Sequence, residues 1–412
     1  MALAAFCVLT ACSGGGATGA ASPARSSPSS PSIASPSTTL NPAPADEPLT
    51  TRLNCGRPVT ATHGLALYSL PISPPMLEVL DISNPLKPAL LCTLGPAQGG
   101  HFDQVHNQLL FFIGDQMGMA DLTSGTVVQT QRLPVSAFQG AFSRDGATFA
   151  YRSSDAAGSI STHLNSGGYD RTLYTQEPIG GHGGPPAGQG PVNELEFSPD
   201  GAELLDYDTF RPPSGPDKFL VYRIAGILGT YAPPDSFLIF HANGAHAGAW
   251  SSSGTTLYLF ISRAPELIGD VDSLDGAGRT QTVASGLNGF YWPRTVPGGK
   301  SIVYDAYVQR PGDSCGGLPH LWRLEPDTRA TAQLSTAISS EAVFVSQTVL
   351  WSNDEMPTQC GPGGESAPHG VIVAHDLRTG SDARVDMTAT VPGIGGASLP
   401  PPDTLWVVDV LL

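Results

Sequence analysis

Glu194 and His246 are the two side chains in this 412-residue sequence best suited to acid–base work. A carboxylate and an imidazole that converge on one substrate atom can move a proton, as a lyase or hydrolase acting on a polysaccharide or lactone needs. His101, Gln139 and Asn193 add hydrogen-bonding groups, and Phe138, Tyr291 and Trp292 add flat apolar surface. A few polar groups among aromatics is the make-up of a small-ligand pocket. For any single one of them the plainer role is packing between neighbouring units or bonding to water.

Other spacings with chemical potential are weaker. His101/His106 and His241/His246 are pairs five residues apart, but neither has a carboxylate or cysteine cluster beside it. A zinc site needs three or four converging ligands. No metal and no cofactor is therefore expected, and most of the ten histidines are expected on loops and surface. Asp270-Val-Asp272-Ser-Leu-Asp275-Gly276 has the look of a calcium loop, but Leu274 stands where an oxygen ligand is needed and the Asp-Gly falls one residue late. Gly312-Asp-Ser314-Cys-Gly316 fits G-x-S-x-G, a pattern that works only between a strand and a helix. Pro311 and Pro319 flank it, so the match is read as chance.

The elements that must position these residues are strands. Charged residues are only 14%, Gly and Pro number 48 and 38, and no long segment has a helical period. That composition points to an all-β domain rich in turns. The net charge of −16 argues against a nucleic-acid groove.

The chain also repeats. Phe142-Ser-Arg-Asp-Gly146, Phe197-Ser-Pro-Asp-Gly201, Trp250-Ser-Ser-Ser-Gly254 and Thr295-Val-Pro-Gly-Gly299 each precede an apolar strand, and their last glycines are 55, 53 and 45 residues apart. Each reads as strand, tight turn, strand, with the glycine supplying positive φ. A second series lies out of phase: Asp121-Leu-Thr-Ser-Gly125, Asp272-Ser-Leu-Asp-Gly276, Leu324-Glu-Pro-Asp-Thr328 and Asp376-Leu-Arg-Thr-Gly380, with Asp81-Ile-Ser-Asn-Pro85 as a further copy. Two hairpins per period make a four-stranded propeller blade. Blades start near residues 59, 98, 136, 190, 244, 289 and 338, and Leu405-Trp-Val-Val-Asp-Val-Leu411 is expected to pair with the first blade and close the ring. The fold expected is thus a seven-bladed β-propeller; ambiguity in the first blade leaves six or eight open, and a sandwich pair or solenoid is the competing architecture.

Phe-Ser-Pro-Asp-Gly with its following strand resembles the WD40-like Pro-Asp repeat of TolB-type propellers, and Leu77–Leu90 is similar to a repeat of extracytoplasmic bacterial propellers. The resemblance implies a fold and a tendency to bind proteins or ligands, not a reaction. In such a ring the d–a and b–c loops share one face. Residues 207–218, 305–319 and 352–370 read as b–c loops, and 178–191 as a d–a loop. Counting back from the turn glycines puts Phe138, Gln139, Asn193, Glu194, His246, Tyr291 and Trp292 at the channel mouth, with His101 beside them.

At the N-terminus, Leu9-Thr10-Ala11-Cys12 after an apolar run resembles a bacterial lipobox, although no basic residue precedes Arg25. The expectation is a leader over 1–11, a lipidated Cys12 opening a disordered Ser/Pro/Ala linker over 12–48, and a propeller over 49–412. Acyl chains would be the only membrane attachment, on the outer side of a cell membrane. Cys55, Cys92, Cys315 and Cys360 then remain in an oxidising compartment. Four cysteines allow three pairings; the blade register favours Cys55–Cys92 and Cys315–Cys360. The function expected is non-enzymatic binding of an envelope protein or small ligand by a monomer, with the acid–base enzyme as the alternative.

Overall fold

The computed structural model describes residues 47–61, 63–70, 74–176, 195–208, 218–225, 227, 234–243, 245–262, 268–308, 318–357, 366–387 and 407–412. These all fall in one unit, Thr39–Leu412. The described strands form seven antiparallel sheets, the blades of a propeller. Blade 1 runs outward from Val407–Leu411 through Leu65–Leu70, Met76–Asp81 and Ala89–Gly95, with Arg52–Cys55 on its outer edge. Blade 2 is Gln98–Asp103, Gln108–Ile113, Gln116–Asp121 and Val127–Arg132, edged by Glu47–Pro48. The inner strands of blades 3 to 7 are Gln139–Phe142, Leu195–Phe197, Ala245–Trp250, Tyr291–Thr295 and Ser339–Phe344.

The tail closes the ring as its sequence suggests, because Val407–Leu411 pairs with Leu65–Leu70 and so becomes the innermost strand of the first blade. Closure leaves the sheet no open inner edge. Alternation of side chains then feeds both faces of each blade. Leu65, Leu67, Leu77 and Val79 pack toward blade 2, while Ala66, Tyr68, Leu70 and Leu80 pack toward blade 7. One apolar cluster fills each of the seven junctions.

Polar staples cross the same junctions. Gln131 Nε2 donates to Asn165 between blades 2 and 3 at 2.7 Å, and Arg152 donates to Asp206 between blades 3 and 4 at 2.5 Å. Thr295 Oγ1 donates to the Trp250 carbonyl between blades 6 and 5 at 2.5 Å, and the backbone N–H of Glu341 to Asp305 between blades 7 and 6 at 2.6 Å. Trp351 Nε1 donates to the Pro85 carbonyl between blades 7 and 1 at 2.9 Å.

The repeated motif is a self-satisfied turn. In blade 3 the Ser143 hydroxyl donates to Asp145 at 2.6 Å, and the N–H of Thr148 donates to that hydroxyl at 3.0 Å. Ser198 and Asp200 repeat the pattern in blade 4. Gly146, Gly201 and Gly254 take φ of 67°, 71° and 78°. In blade 6 the strained position falls on Gly298 at 69°, not on Gly299. The turn expected at Asp272 also moves: Asp272 is inside the strand Ile268–Asp275, and Asp275 caps the turn by accepting the N–H groups of Ala277 and Arg279.

Three loops shorten because polar residues can still pair in a ladder: Tyr207, Asp208 and Lys218 belong to the strands Glu203–Asp208 and Lys218–Arg223. Residues 305–308 and 318–319 belong to Ile302–Val308 and Leu318–Glu325. Ser352–Pro357 and Ser366–Gly370 lie within two long paired strands, where Pro357 stands opposite Ser366. Cys55 and Cys92 face each other across the outer ladder of blade 1 and form a disulfide, with Cα atoms 4.1 Å apart. Cys12, Cys315 and Cys360 lie outside the described residues. Among the described residues, no helix is long and apolar enough to cross a membrane.

Candidate functional site

The inner strands run from the loop face toward the inner turns, so their first residues stand at the channel mouth. Phe138 is 37% exposed, and its N–H donates to the Arg152 carbonyl. Gln139 lies opposite Arg152 in the ladder. Tyr291 is half-buried, and its ring meets Tyr307 edge-on at 5.2 Å. Trp292 sits at φ 49° in a bulge between Tyr291 and Arg294, a strained setting that turns the strand at this point. Phe138 and Gln139 stand at the start of the inner strand of blade 3, and Tyr291 and Trp292 at the start of that of blade 6. Asn193 and Glu194 lie outside the described residues; His246 lies on the inner strand of blade 5, but its side chain lies outside the description.

His101 is deeper than the mouth. It is two residues ahead of Asp103, where the inner strand of blade 2 turns. Its Nδ1 lies 3.2 Å from Asp409 on the closing strand, its Nε2 3.2 Å from the Arg144 carbonyl, and its ring stacks near Phe142. Burial is the largest single influence and works against the charged ring. The hydrogen bond to Asp409 and its charge, helped by the Arg144 carbonyl and Asp103, outweigh it and raise the imidazole above its ordinary value.

That depth defines a layer. Glu196 and Arg294 are each two residues ahead of the residue that opens the inner turn, Ser198 in blade 4 and Val296 in blade 6. Blades 3 and 5 place Ala141 and Ala249 there, before Ser143 and Ser251. Large charged and small apolar residues thus alternate from blade 2 to blade 6. Glu196 is half-buried. Burial pushes its carboxyl up, and the positive charge of Arg294 pulls it back. The sequence carries the signal in the residue just before each Phe-Ser-Pro-Asp-Gly position.

Two further histidines are not the loop residues expected. His163 and His375 are buried on strands of blades 3 and 7. Ser352 Oγ lies 2.7 Å from His375 Nε2, and His375 Nδ1 lies 2.5 Å from Asp382. Ser153, His163 and Asp170 repeat this order at 2.9 and 3.2 Å. The atoms match a nucleophile–base–acid relay, but Ser352 is 0% exposed and Ser153 6%. No acyl group reaches a sealed hydroxyl, so these chains tie three strands of a blade together. Asp270 and Asp272, from the calcium-like run, are held in a strand, and Asp275 pairs with Arg279 at 2.6 Å. Among the described residues, no group of three or more His, Cys, Asp or Glu is placed to hold a metal ion. Ser314 of the G-x-S-x-G run lies outside them.

No family model matches the chain. No curated protein matches it. Among solved structures, the tricorn protease superposes with a TM-score of 0.50 at 10% identity, over 86% of this chain but only 35% of its own length. Oligogalacturonate lyase in complex with manganese gives 0.46 at 12% identity, over 83% of this chain and 85% of that one. TolB from Acinetobacter baumannii gives 0.38 at 11% identity, over 76% of each. At these identities the likeness is one of fold. The seven-bladed propeller expected from the repeat stands on the seven sheets themselves.

Proposed function

We propose that this chain is a tethered binding propeller, without catalytic activity of its own, that receives an envelope protein or small ligand on the face carrying its b–c and d–a connections. The observation that carries this reading is topological. The strand ends at Asp208, Lys218, Leu318, Pro357, Ser366 and Leu195 all lie at that one face of a stapled ring. Irregular segments on a rigid scaffold are where recognition concentrates. The Cys55–Cys92 bridge fits an oxidising compartment. Lipid on Cys12 would hold the propeller at a membrane through the Ser/Pro/Ala linker.

Two measurements test it. Metabolic labelling with a palmitate analogue should tag the wild type and not Cys12→Ala. Shortening 209–217 or 178–191 should abolish capture of the partner found by crosslinking in the envelope, with thermal stability nearly unchanged. Binding that survives both deletions and is lost on changing the turns at 123–125 or 378–380 overturns the face assignment.

A further inference from the structure

Glu78 carries a carboxyl that the fold buries and leaves unpartnered. It is 1% exposed, and neither oxygen has a hydrogen-bond partner. A buried polar atom without a partner costs free energy, and a buried bare charge costs far more, so the group calls for a physical explanation. Its place in the fold supplies one. Glu78 stands opposite Tyr68 and Thr93 in the ladders of blade 1. Met76 and Leu80, two residues to either side, pack with Tyr68 into the apolar cluster that joins blade 1 to blade 7. The carboxyl therefore lies in the seam where the ring closes, together with Trp351, Ile372 and Ala374 of blade 7 and Val407 of the closing strand. Of the ionisable groups there, Tyr68 belongs to blade 1. On blade 7, Asn353 stands opposite Ile372 and donates to Glu341 at 2.7 Å. Among the described residues no charged side chain acts on Glu78; burial alone raises its carboxyl.

The seam is held at one end. Trp351 Nε1 donates to the Pro85 carbonyl and the N–H of Asp386 to the Leu86 carbonyl, both at 2.9 Å. Pro85 and Leu86 lie in the connection that follows Asp81, whereas Glu78 is near the loop-face end of the same strand, which begins at Met76. We propose that the Glu78 proton is a latch on ring closure: its loss opens the seam between blades 1 and 7 at the loop-face end, with the Pro85 and Leu86 contacts as the hinge, while the other junctions stay shut. The proton passes to water as the carboxyl meets solvent. In the open form the group returns to its ordinary value of 4.5, so opening grows more favourable as pH rises from there to about 8 and levels off above. The latch goes beyond the binding role of the loop face and holds whatever that face receives.

Hydrogen exchange of the whole exported protein between about pH 5 and pH 9, corrected for intrinsic exchange rates, tests the latch. The opening constant of Leu65–Leu70 and Met76–Asp81 should rise roughly tenfold per pH unit up to about pH 8 and then flatten. At neutral pH these strands should open more readily than Glu203–Asp208 in blade 4, and more readily than global unfolding measured in urea allows. Glu78→Gln should remove the rise. Glu78→Met, which fills the same space with no proton to lose, should do so as well. An opening constant that does not change with pH, seam strands that open only with the whole protein, or the same rise in either variant overturns the latch. Shortening 209–217 or 178–191 should leave the rise unchanged, so failure of the latch and failure of the loop-face reading are told apart.

Discussion

The carboxylate of Asp409 stands 3.2 Å from Nδ1 of His101, across the joint between the inner strands of blades 1 and 2. The same carboxylate accepts the backbone N–H of Phe102 at 2.8 Å, a contact between residues 307 apart in sequence. Asp409 thus fastens the closing strand to the second blade as well as to the first.

Asp409→Asn keeps an acceptor for Phe102 but removes the charge beside His101. Because the folded imidazole is raised above 6.5, its contribution is complete below that pH and fades as pH rises through the raised value. The substitution should cost about 1–2 kcal/mol at acid pH and clearly less in alkali. Urea unfolding on either side of the imidazole range checks this, and an equal cost at both pH values would count against it.

Glu78 gives the opposite kind of pH dependence. It is 1% exposed, lies across the ladder from Tyr68 and Thr93, and neither carboxyl oxygen has a hydrogen-bond partner. Burial pushes its carboxyl up to about 8. The folded protein holds a proton that the unfolded chain releases above 4.5, so stability is lost progressively between those values. Glu78→Gln should stabilise by on the order of 3 kcal/mol at neutral pH and change little near or below pH ~4. A Gln variant no more stable than wild type at neutral pH would show that the carboxyl ionises in the fold at little cost.

The blades were legible because their signals are local. Ser143-Arg-Asp145-Gly146 satisfies its own backbone within a few residues, so the turn is written in adjacent letters. Ring closure was legible too, since Leu405–Leu411 reads as one further strand after the last hairpin, and Val407–Leu411 pairs with Leu65–Leu70. Relations between blades were harder. That Glu196 and Arg294 share a depth follows only once the turns are aligned, and that His163 and His375 are buried depends on which face of a strand meets a neighbour. Asp272 was misplaced because Asp275 offers the same Asp-Gly chemistry three residues on.

His375 should make the fold sensitive to acid. Burial holds its imidazole below the ordinary 6.5, while Asp382 works in the other direction. The unfolded chain therefore takes up a proton first, and stability is full above that pH and falls as pH drops through the depressed value. His375→Gln should flatten this slope at a cost of about 1–3 kcal/mol near neutrality, because Ser352 and Asp382 lose their shared partner. Thermal melts across the acid range test it; an unchanged slope would assign acid sensitivity to another group.

The disulfides give the last prediction. Cys55–Cys92 pins the strand Arg52–Cys55 to the outer edge of blade 1 and closes a loop of 37 residues. On loop entropy alone the bridge stabilises by about 4 kcal/mol. The strand is an addition outside a four-stranded blade, so its loss should loosen the segment that enters the ring before the ring itself. Cys55→Ser with Cys92→Ser should speed hydrogen exchange and cleavage after Arg52 and Arg57, while the ladders of blades 3 to 6 keep their protection. Cys315 and Cys360 follow strands of consecutive blades that end on one face, at Val308 and Pro357. Adjacent connections can bring Cα atoms within the roughly 4.4–6.8 Å a bridge needs, which opposite blades cannot. Non-reducing peptide mapping of exported protein should therefore return 55–92 and 315–360, and recovery of Cys315 and Cys360 as free thiols would remove the proposed brace across the loop face.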